Sequence, residues 1–361
     1  MYNLAGGGAE RVLVDLLDEI DYKKYNVDLL LIREEGIYID DINKNVNIKS
    51  IFSYNNSSKN KILNYIKSLL YKYSPKFFIG NIIGKKYDVE ISFLEGETSS
   101  LLLYSKNKSS KKVAWVHIDL ENLKSLNRVQ SNKVYELVDK IICVSNECKD
   151  AFLKLYPEYK EKISVIYNLI NSNKILELSN QEDIDLPSSN YILSIGRLTE
   201  QKRFDRLIKA YKLLVDKGIK QDLIILGEGE LINTLKNLVS ELDLKERVFF
   251  PGFTKNPYYW IKNCNLFVLA SDLEGFSLVV AEAMILGKAI VSTDCVGPTE
   301  LLGNGKYGIV TERDVESVKC GIESLLLDEK KKCLYEKRAL ERGKIFEKEI
   351  FNENINRILE M

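Results

Sequence analysis

Residues 266–292 read LFVLASDLEGFSLVVAEAMILGKAIVS. Leu266 to Ala270 is an apolar run of strand length and composition. Small and polar residues follow (Ser271, Asp272, Glu274, Gly275), an apolar-periodic stretch opens at Ser277, and residues 289–293 are strand-like again. This order predicts strand, loop, helix, strand, with Ser277 at the N-cap. The backbone N–H groups of Gly275, Phe276, Ser277 and Leu278 then lie at a helix mouth, where an anionic group binds well. Glu274 stands at that mouth. Glu282 follows eight residues later, rotated by about a quarter turn at ~100° per residue. Both carboxylates can then face one crevice. N–H donors for phosphate beside acceptors for hydroxyls are what a sugar nucleotide requires.

The same alternation runs through the chain. Strand-like runs occur at 27–32, 89–94, 112–116, 140–145, 163–168, 191–196, 222–227, 247–252, 266–270 and 289–293. Amphipathic helical patterns such as 9–20, 204–217 and 230–242 lie between them. Strands alternating with helices predict parallel sheets covered by helices, an α/β fold. The polar segment 177–190, with Pro187, separates two such blocks and reads as an interdomain linker.

At 361 residues there is room for two domains and two cores. Lys plus Arg and Asp plus Glu both total 52, so the net charge of zero gives no warrant for nucleic-acid binding. No apolar run approaches the ~18–20 residues of a membrane span, and the first residues lack the regions of a signal peptide. Six scattered cysteines and one histidine show no zinc-ligand spacing, so no metal site and no resident cofactor is expected.

Several further stretches carry chemistry. SIGRLTEQKRFDRLIKAYKLL (194–214) places Gly196, Arg197 and Lys202 between a strand and a helix, where two cations can neutralise a diphosphate. Solvated surface charge is the plainer reading of those cations. Gly227 and Gly229 follow the next strand and are read either as a tight turn or as ligand contacts. GGGAERVLVDLL (6–17) opens a helix with Gly6, Gly7 and Gly8, but Arg11 stands where the dinucleotide fingerprint needs its third glycine, which counts against a dehydrogenase. His117 ends the strand-like KVAWVHID and is either structural or catalytic; in either protonation state it can hydrogen-bond a substrate near pH 7, and Asp119 can hold it. Between Ile51 and Tyr87 there is no acidic residue, while seven lysines from Lys59 to Lys86 alternate with Ile, Leu, Tyr and Phe. That pattern suits either an ordinary helix with a solvated lysine face or one resting on anionic lipid.

The acidic pair with its flanks, the 194–214 loop and the N-terminal glycines together resemble the family 4 glycosyltransferases across almost the whole chain. The resemblance implies the GT-B fold, two Rossmann-like doubly wound parallel-sheet domains facing across a cleft. Residues 1–176 would form an acceptor-binding domain completed by a C-terminal helix at 345–361, and 191–344 the nucleotide-sugar donor domain. It also implies roles. Arg197 and Lys202 hold the donor phosphates, Glu274 the sugar hydroxyls and Glu282 the ribose. Gly227 and Gly229 line the nucleotide pocket, and His117 lies near the reacting carbon. The loop with Gly297, Pro298 and Glu300 shapes the donor site. One departure stands out: the family's first strand precedes the glycine loop, and only MYNLA is present here, so a shortened or missing strand is expected, through truncation or a misassigned start.

The implied reaction moves a hexosyl-type sugar from a nucleotide diphosphate donor, most simply a UDP-sugar, to a hydroxyl acceptor, with retention at the anomeric carbon and without a metal. The acceptor would be a lipid-linked or cell-surface glycan. The place would be the cytoplasm, peripheral at the inner face of the membrane, with the 59–86 segment on the lipid. The rivals are a nucleotide-sugar epimerase of the same fold and a non-catalytic nucleotide-sugar-binding protein.

Overall fold

The computed structural model describes residues 1–52, 58–84, 86–117, 128–181, 186–187, 189–346 and 348–360, with side chains for all of these except 58–63, 128–130, 348, 351 and 355. The chain divides into two compact units, Met1–Ile170 with Phe351–Met361, and Asn171–Ile350.

In the first unit, α1 (Gly8–Glu19) buries Val12, Leu13, Val14, Leu16 and Leu17, the apolar face predicted from its 3.6-residue period. β1 (Asp28–Arg33) and β2 (Asn47–Phe52) pair in parallel. The antecedent segment runs along β1: the Met1 amine donates to the Leu30 carbonyl at 2.9 Å, and Ile32 and Arg33 donate to the carbonyls of Met1 and Tyr2 at 3.0 and 2.8 Å. The edge of β1 facing this segment is therefore hydrogen-bonded. Next come α2 (Ser58–Tyr73), α3 (Pro75–Ile83), β3 (Val89–Ser92), α4 (Glu97–Ser100), β4 (Lys111–Val116), α5 (Arg128–Leu137), β5 (Lys140–Cys143), α6 (Asn146–Leu155) and β6 (Ile163–Val165). The strands β3, β4, β5 and β6 form a second parallel sheet in that order. Its central strands β4 and β5 are buried almost throughout, as parallel strands covered on both faces must be.

The second unit begins with α7 (Ser172–Leu178), which packs on α10 (Tyr258–Asn263) and α11 (Leu278–Ile285). Asn256 Nδ2 also donates to the Leu178 carbonyl at 3.0 Å. The linker expected from residue 177 thus starts inside a helix of this unit, and the division falls after Ile170 instead of 176. The remaining elements are β7 (Tyr191–Ile195), α8 (Phe204–Asp216), β8 (Asp222–Leu226), α9 (Ile232–Glu241), β9 (Val248–Gly252), β10 (Leu266–Leu269), β11 (Ile290–Thr293), α12 (Val296–Leu301), β12 (Ile309–Thr311), α13 (Val315–Leu326) and α14 (Glu329–Gly343). α15 (Lys348–Leu359) carries the chain back to the first unit at Phe351, later than the expected 345.

Among the described residues the sheet order is β12-β11-β10-β7-β8-β9, all parallel. The winding reverses beside β7, with β8 and β9 on one side and β10 to β12 on the other. Loops leaving the carboxyl ends of β7 and β10 diverge at that point, where doubly wound sheets bind ligands. The sheet is held by α8 and α13, whose Leu207, Ile208, Tyr211, Leu214, Val318 and Ile322 pack on Leu223, Ile225, Val268 and Val291. At about 1.5–3 kcal/mol for each fully buried aliphatic side chain, this face fixes the loop ends that carry the site.

Candidate active site

The loop after β7 starts at Gly196, whose N–H donates to the Leu226 carbonyl at 2.9 Å. Gly227, at the end of β8, has φ +135°, and a Cβ there would lie 2.0 Å from the Gly196 carbonyl oxygen. A Cβ on Gly229 would stand 2.5 Å from the Leu198 carbonyl oxygen. Both glycines therefore serve close backbone approach between the β7 and β8 loops, which makes the turn reading concrete. Lys202 folds back over Gly196, its Cε 3.2 Å from where a Cβ would sit. Arg197 is exposed, and its side chain makes no hydrogen bond or ion pair with the described residues.

Lys202 Nζ reaches Glu274 Oε1 on the loop after β10, and Ser271 Oγ donates to the same oxygen at 2.9 Å. Glu274 is 9% exposed. The structure thus brings together two residues 72 positions apart that the sequence had assigned to one site. Gly275 to Leu278 lead into α11, and Ser277 has the extended backbone of an N-cap (φ −100°, ψ 98°). Its side chain makes no cap bond, however, and the buried Oγ has no partner among the described residues. Glu282 lies inside α11, 3% exposed. Gly297 closes the far side: its N–H donates to the Glu274 carbonyl at 3.1 Å, and a Cβ would meet the Gly275 carbonyl at 2.6 Å.

A network not anticipated from the sequence ties these loops. Arg206, 5% exposed, donates to the Ala270 carbonyl at 2.8 Å and to Asp272 Oδ1 at 2.6 Å. Arg203 donates to Asp272 Oδ2 at 2.9 Å. Asp272 N donates to the Gln201 carbonyl at 2.9 Å, and Gln201 Nε2 to the Leu273 carbonyl at 2.6 Å. Burial alone would raise the Asp272 carboxyl, but the Arg206 and Arg203 bonds outweigh it and hold it below the usual range. The available signal was a charged residue, Arg206, inside an otherwise apolar helical face.

The first unit contributes a separate set. Gly6 has φ +110°, Gly7 caps α1 and Gly8 opens it. His117, just past β4, is 7% exposed. Its ring lies 4.9 Å from that of Phe93 and 5.9 Å from that of Trp115, stacked on the latter at 23°. Burial pushes the imidazole down to about 3 against an opposing hydrogen bond to the Phe93 backbone. The ring is therefore neutral across the physiological range, which removes the protonated alternative entertained from sequence. The His117 N–H donates to Glu95 Oε2 at 3.0 Å, and burial lifts the Glu95 carboxyl to about 7. Asp119 lies outside the described residues.

Residues 178–342 match the family described as glycosyl transferases group 1, and residues 6–174 match glycosyltransferase family 4. N-acetylgalactosamine-N,N'-diacetylbacillosaminyl-diphospho-undecaprenol 4-alpha-N-acetylgalactosaminyltransferase of Campylobacter jejuni is 31% identical over 96% of this chain and 94% of its own. The chain belongs to the family 4 glycosyltransferases. As a glycosyltransferase it has a further relative in the Escherichia coli UDP-Gal:alpha-D-GlcNAc-diphosphoundecaprenol alpha-1,3-galactosyltransferase, 29% identical over 49% of each chain. The transferase also shares its two-domain GT-B fold with Anabaena HepE solved in complex with UDP, at TM-score 0.75 and 20% identity over the whole of both chains. The lipopolysaccharide outer core galactosyltransferase WaaB gives 0.70 at 18% identity over 99% of this chain and 98% of its own.

Proposed function

We propose that this glycosyltransferase moves a sugar from a UDP-sugar to a hydroxyl of a lipid-linked glycan, with retention at the anomeric carbon. The observation that carries the reading is the junction of Lys202, Ser271 and Glu274 beside the α11 N-terminus, where the Ser277 Oγ is buried without a partner. Such a place offers a cation, a hydroxyl and orphan N–H groups to a diphosphate, and a carboxylate to sugar hydroxyls. Arg197, exposed on the adjoining loop, adds a second cation. Glu282 takes the ribose, Gly227 and Gly229 admit the nucleotide, and His117 with the Gly6–Gly8 loop serves the reacting sugar and the acceptor.

As the glycosyl bond to the diphosphate breaks, the negative charge on the departing group is met by Arg197, Lys202 and the α11 dipole. We read the reaction as independent of metal on that basis, and EDTA should leave turnover unchanged. The names of the Campylobacter and Escherichia coli relatives support a diphospho-undecaprenol-linked acceptor, and that of the second supports a UDP-sugar.

The first unit supports a membrane-facing role at the cytoplasmic side. No helix among the described residues is long and apolar enough to cross a membrane. Yet α2 and α3 expose Tyr65, Ile66, Leu69, Leu70, Tyr73 and Phe77, with Tyr73 72% and Phe77 66% exposed. Exposed Lys72, Lys76 and Lys106 stand among them, and Lys106 Nζ lies 5.4 Å over the Phe77 ring. Amphipathic aromatics interleaved with cations suit the headgroup boundary of an anionic bilayer.

Thermal-shift screening against UDP-, GDP- and ADP-sugars, followed by transfer assays with Glu274→Gln, tests the donor site. Near-normal transfer by that variant removes Glu274 from it. The anomeric configuration of the product, read by NMR, decides retention.

A further inference from the structure

We propose that Glu95 is the positioning residue for His117, fixing the imidazole with its proton on Nδ1 and its Nε2 lone pair directed to a substrate hydroxyl. The last clause rests on the reading of His117 as a group at the reacting sugar; the first does not.

β3 stops at Ser92 and β4 at Val116, so the His117 N–H emerges beyond their paired ladder. A carbonyl of the neighbouring strand does not receive it. Glu95 Oε2 does, at 3.0 Å. Glu95 is itself held by the turn that leads into α4. Thr98 Oγ1 donates to the carbonyls of Leu94 and Glu95 at 2.7 and 3.1 Å, and Ser99 and Ser100 donate to the Gly96 carbonyl at 2.9 and 3.0 Å. Gly96, at φ +79°, permits that reversal.

The main chain of His117 is thereby anchored, and the aromatic rings of Phe93 and Trp115 hold its side chain. Nε2 is buried and has no partner among the described residues, so the hydrogen bond to the Phe93 backbone falls to Nδ1. A backbone carbonyl only accepts, so Nδ1 must carry the proton. In the neutral ring Nε2 is then an acceptor. A buried acceptor left open beside an anchored backbone is suited to a hydroxyl that arrives with the substrate. Burial raises Tyr135 on α5, and the Cys143 hydrogen bond and burial raise Cys148 on α6, so both stay protonated and neither competes for the role.

The sequence contains one histidine, so tag-free protein labelled with 15N-histidine gives a single imidazole in long-range 1H–15N spectra. The expected wild-type spectrum shows Nδ1 protonated and Nε2 bare, unchanged from about pH 5.5 to 8.5, well above the depressed value and spanning the ordinary ~6.5. Glu95→Ala should mix the tautomers, move the titration towards that ordinary value and lower kcat about 100-fold with donor KM within about two-fold, as expected for a misplaced group. Glu95→Gln, whose amide oxygen accepts the same N–H, should restore both spectrum and kcat. A wild-type ring protonated on Nε2, or titrating in that window, overturns the proposal without any variant. So does Glu95→Ala with spectrum and kcat unchanged. Normal transfer by His117→Ala, with the wild-type spectrum as expected, overturns the placement of His117 at the sugar and leaves its control by Glu95 standing.

Discussion

Arg197 and Lys202 are both cations on the loop after β7, yet their substitutions should differ. The exposed Arg197 side chain has no described hydrogen-bond or ion-pair partner, so Arg197→Ala should lower kcat/KM about 100-fold while the melting temperature moves by less than about 2 °C. Equal losses of fold and turnover would make Arg197 a structural residue. Lys202→Ala also strips the buried Glu274 carboxylate of its ion partner, so it should lose about 1–3 kcal/mol of stability in addition to turnover. The pair Glu95 and His117 gives a pH signature. Glu95 is raised from its ordinary 4.5 to about 7, so the folded state holds that proton more tightly, and the stability this supplies below 4.5 is lost as pH climbs through 7. His117 is lowered from 6.5 to about 3, so its contribution is present above 6.5 and lost as pH falls towards 3. Glu95→Gln keeps only the second. Denaturant unfolding should show this variant gaining about 1–2 kcal/mol on the wild type between pH 5 and 8, after allowance for the partial exposure of Glu95.

The loops after β7 and β10 act as one element because Asp272 joins them. Asp272→Ala would leave Arg203 bonded only to Asp205 and the buried Arg206 with only the Ala270 carbonyl. It should weaken UDP-sugar binding about ten-fold by calorimetry and destabilise the protein by about 1–3 kcal/mol; unchanged binding would show that the loops are held without it. This coupling was illegible along the chain, since Arg206 and Asp272 meet across 66 residues and periodicity reports only near neighbours. Glu274 and the glycines were legible because a helix mouth and a strand end are local features, whereas the role of Lys202 came from the family resemblance. Strands show the same limit. β7, β8 and β10 are nearly all apolar and announced themselves, whereas β2 and β12 went unseen. Both lie at sheet edges with mostly exposed or half-buried patterns, and NIKSIF breaks polar–apolar alternation at Lys49–Ser50 while IVT has three residues. An edge strand needs little hydrophobicity, so it leaves little trace.

At the scale of the molecule, the α/β alternation foretold parallel sheets in both units, and resemblance supplied the GT-B arrangement. The contact-defined division falls at Ile170, ahead of the polar 177–190 segment, because α7 packs on α10 and α11. Donor binding assigned to the second unit predicts localised protection. Hydrogen exchange with and without UDP should slow at 196–203, 227–229 and 271–278, and uniform slowing across both units would contradict the assignment. Substituting Tyr65, Tyr73 and Phe77 with Ser should reduce flotation with anionic vesicles at least about five-fold without changing UDP affinity; unaltered flotation would remove α2 and α3 from the lipid.

The return of the chain after residue 350 bears on biosynthesis. Ile358 is buried and Lys24 meets Glu360 at 2.6 Å, so α15 closes the same compact unit as the segments around α1. During translation, which is vectorial, the portion made first therefore waits until the ribosome has produced the final turns of α15, while the portion made in between has every residue it needs beforehand. The unit that holds α1 is finished only after the unit inserted between its two parts.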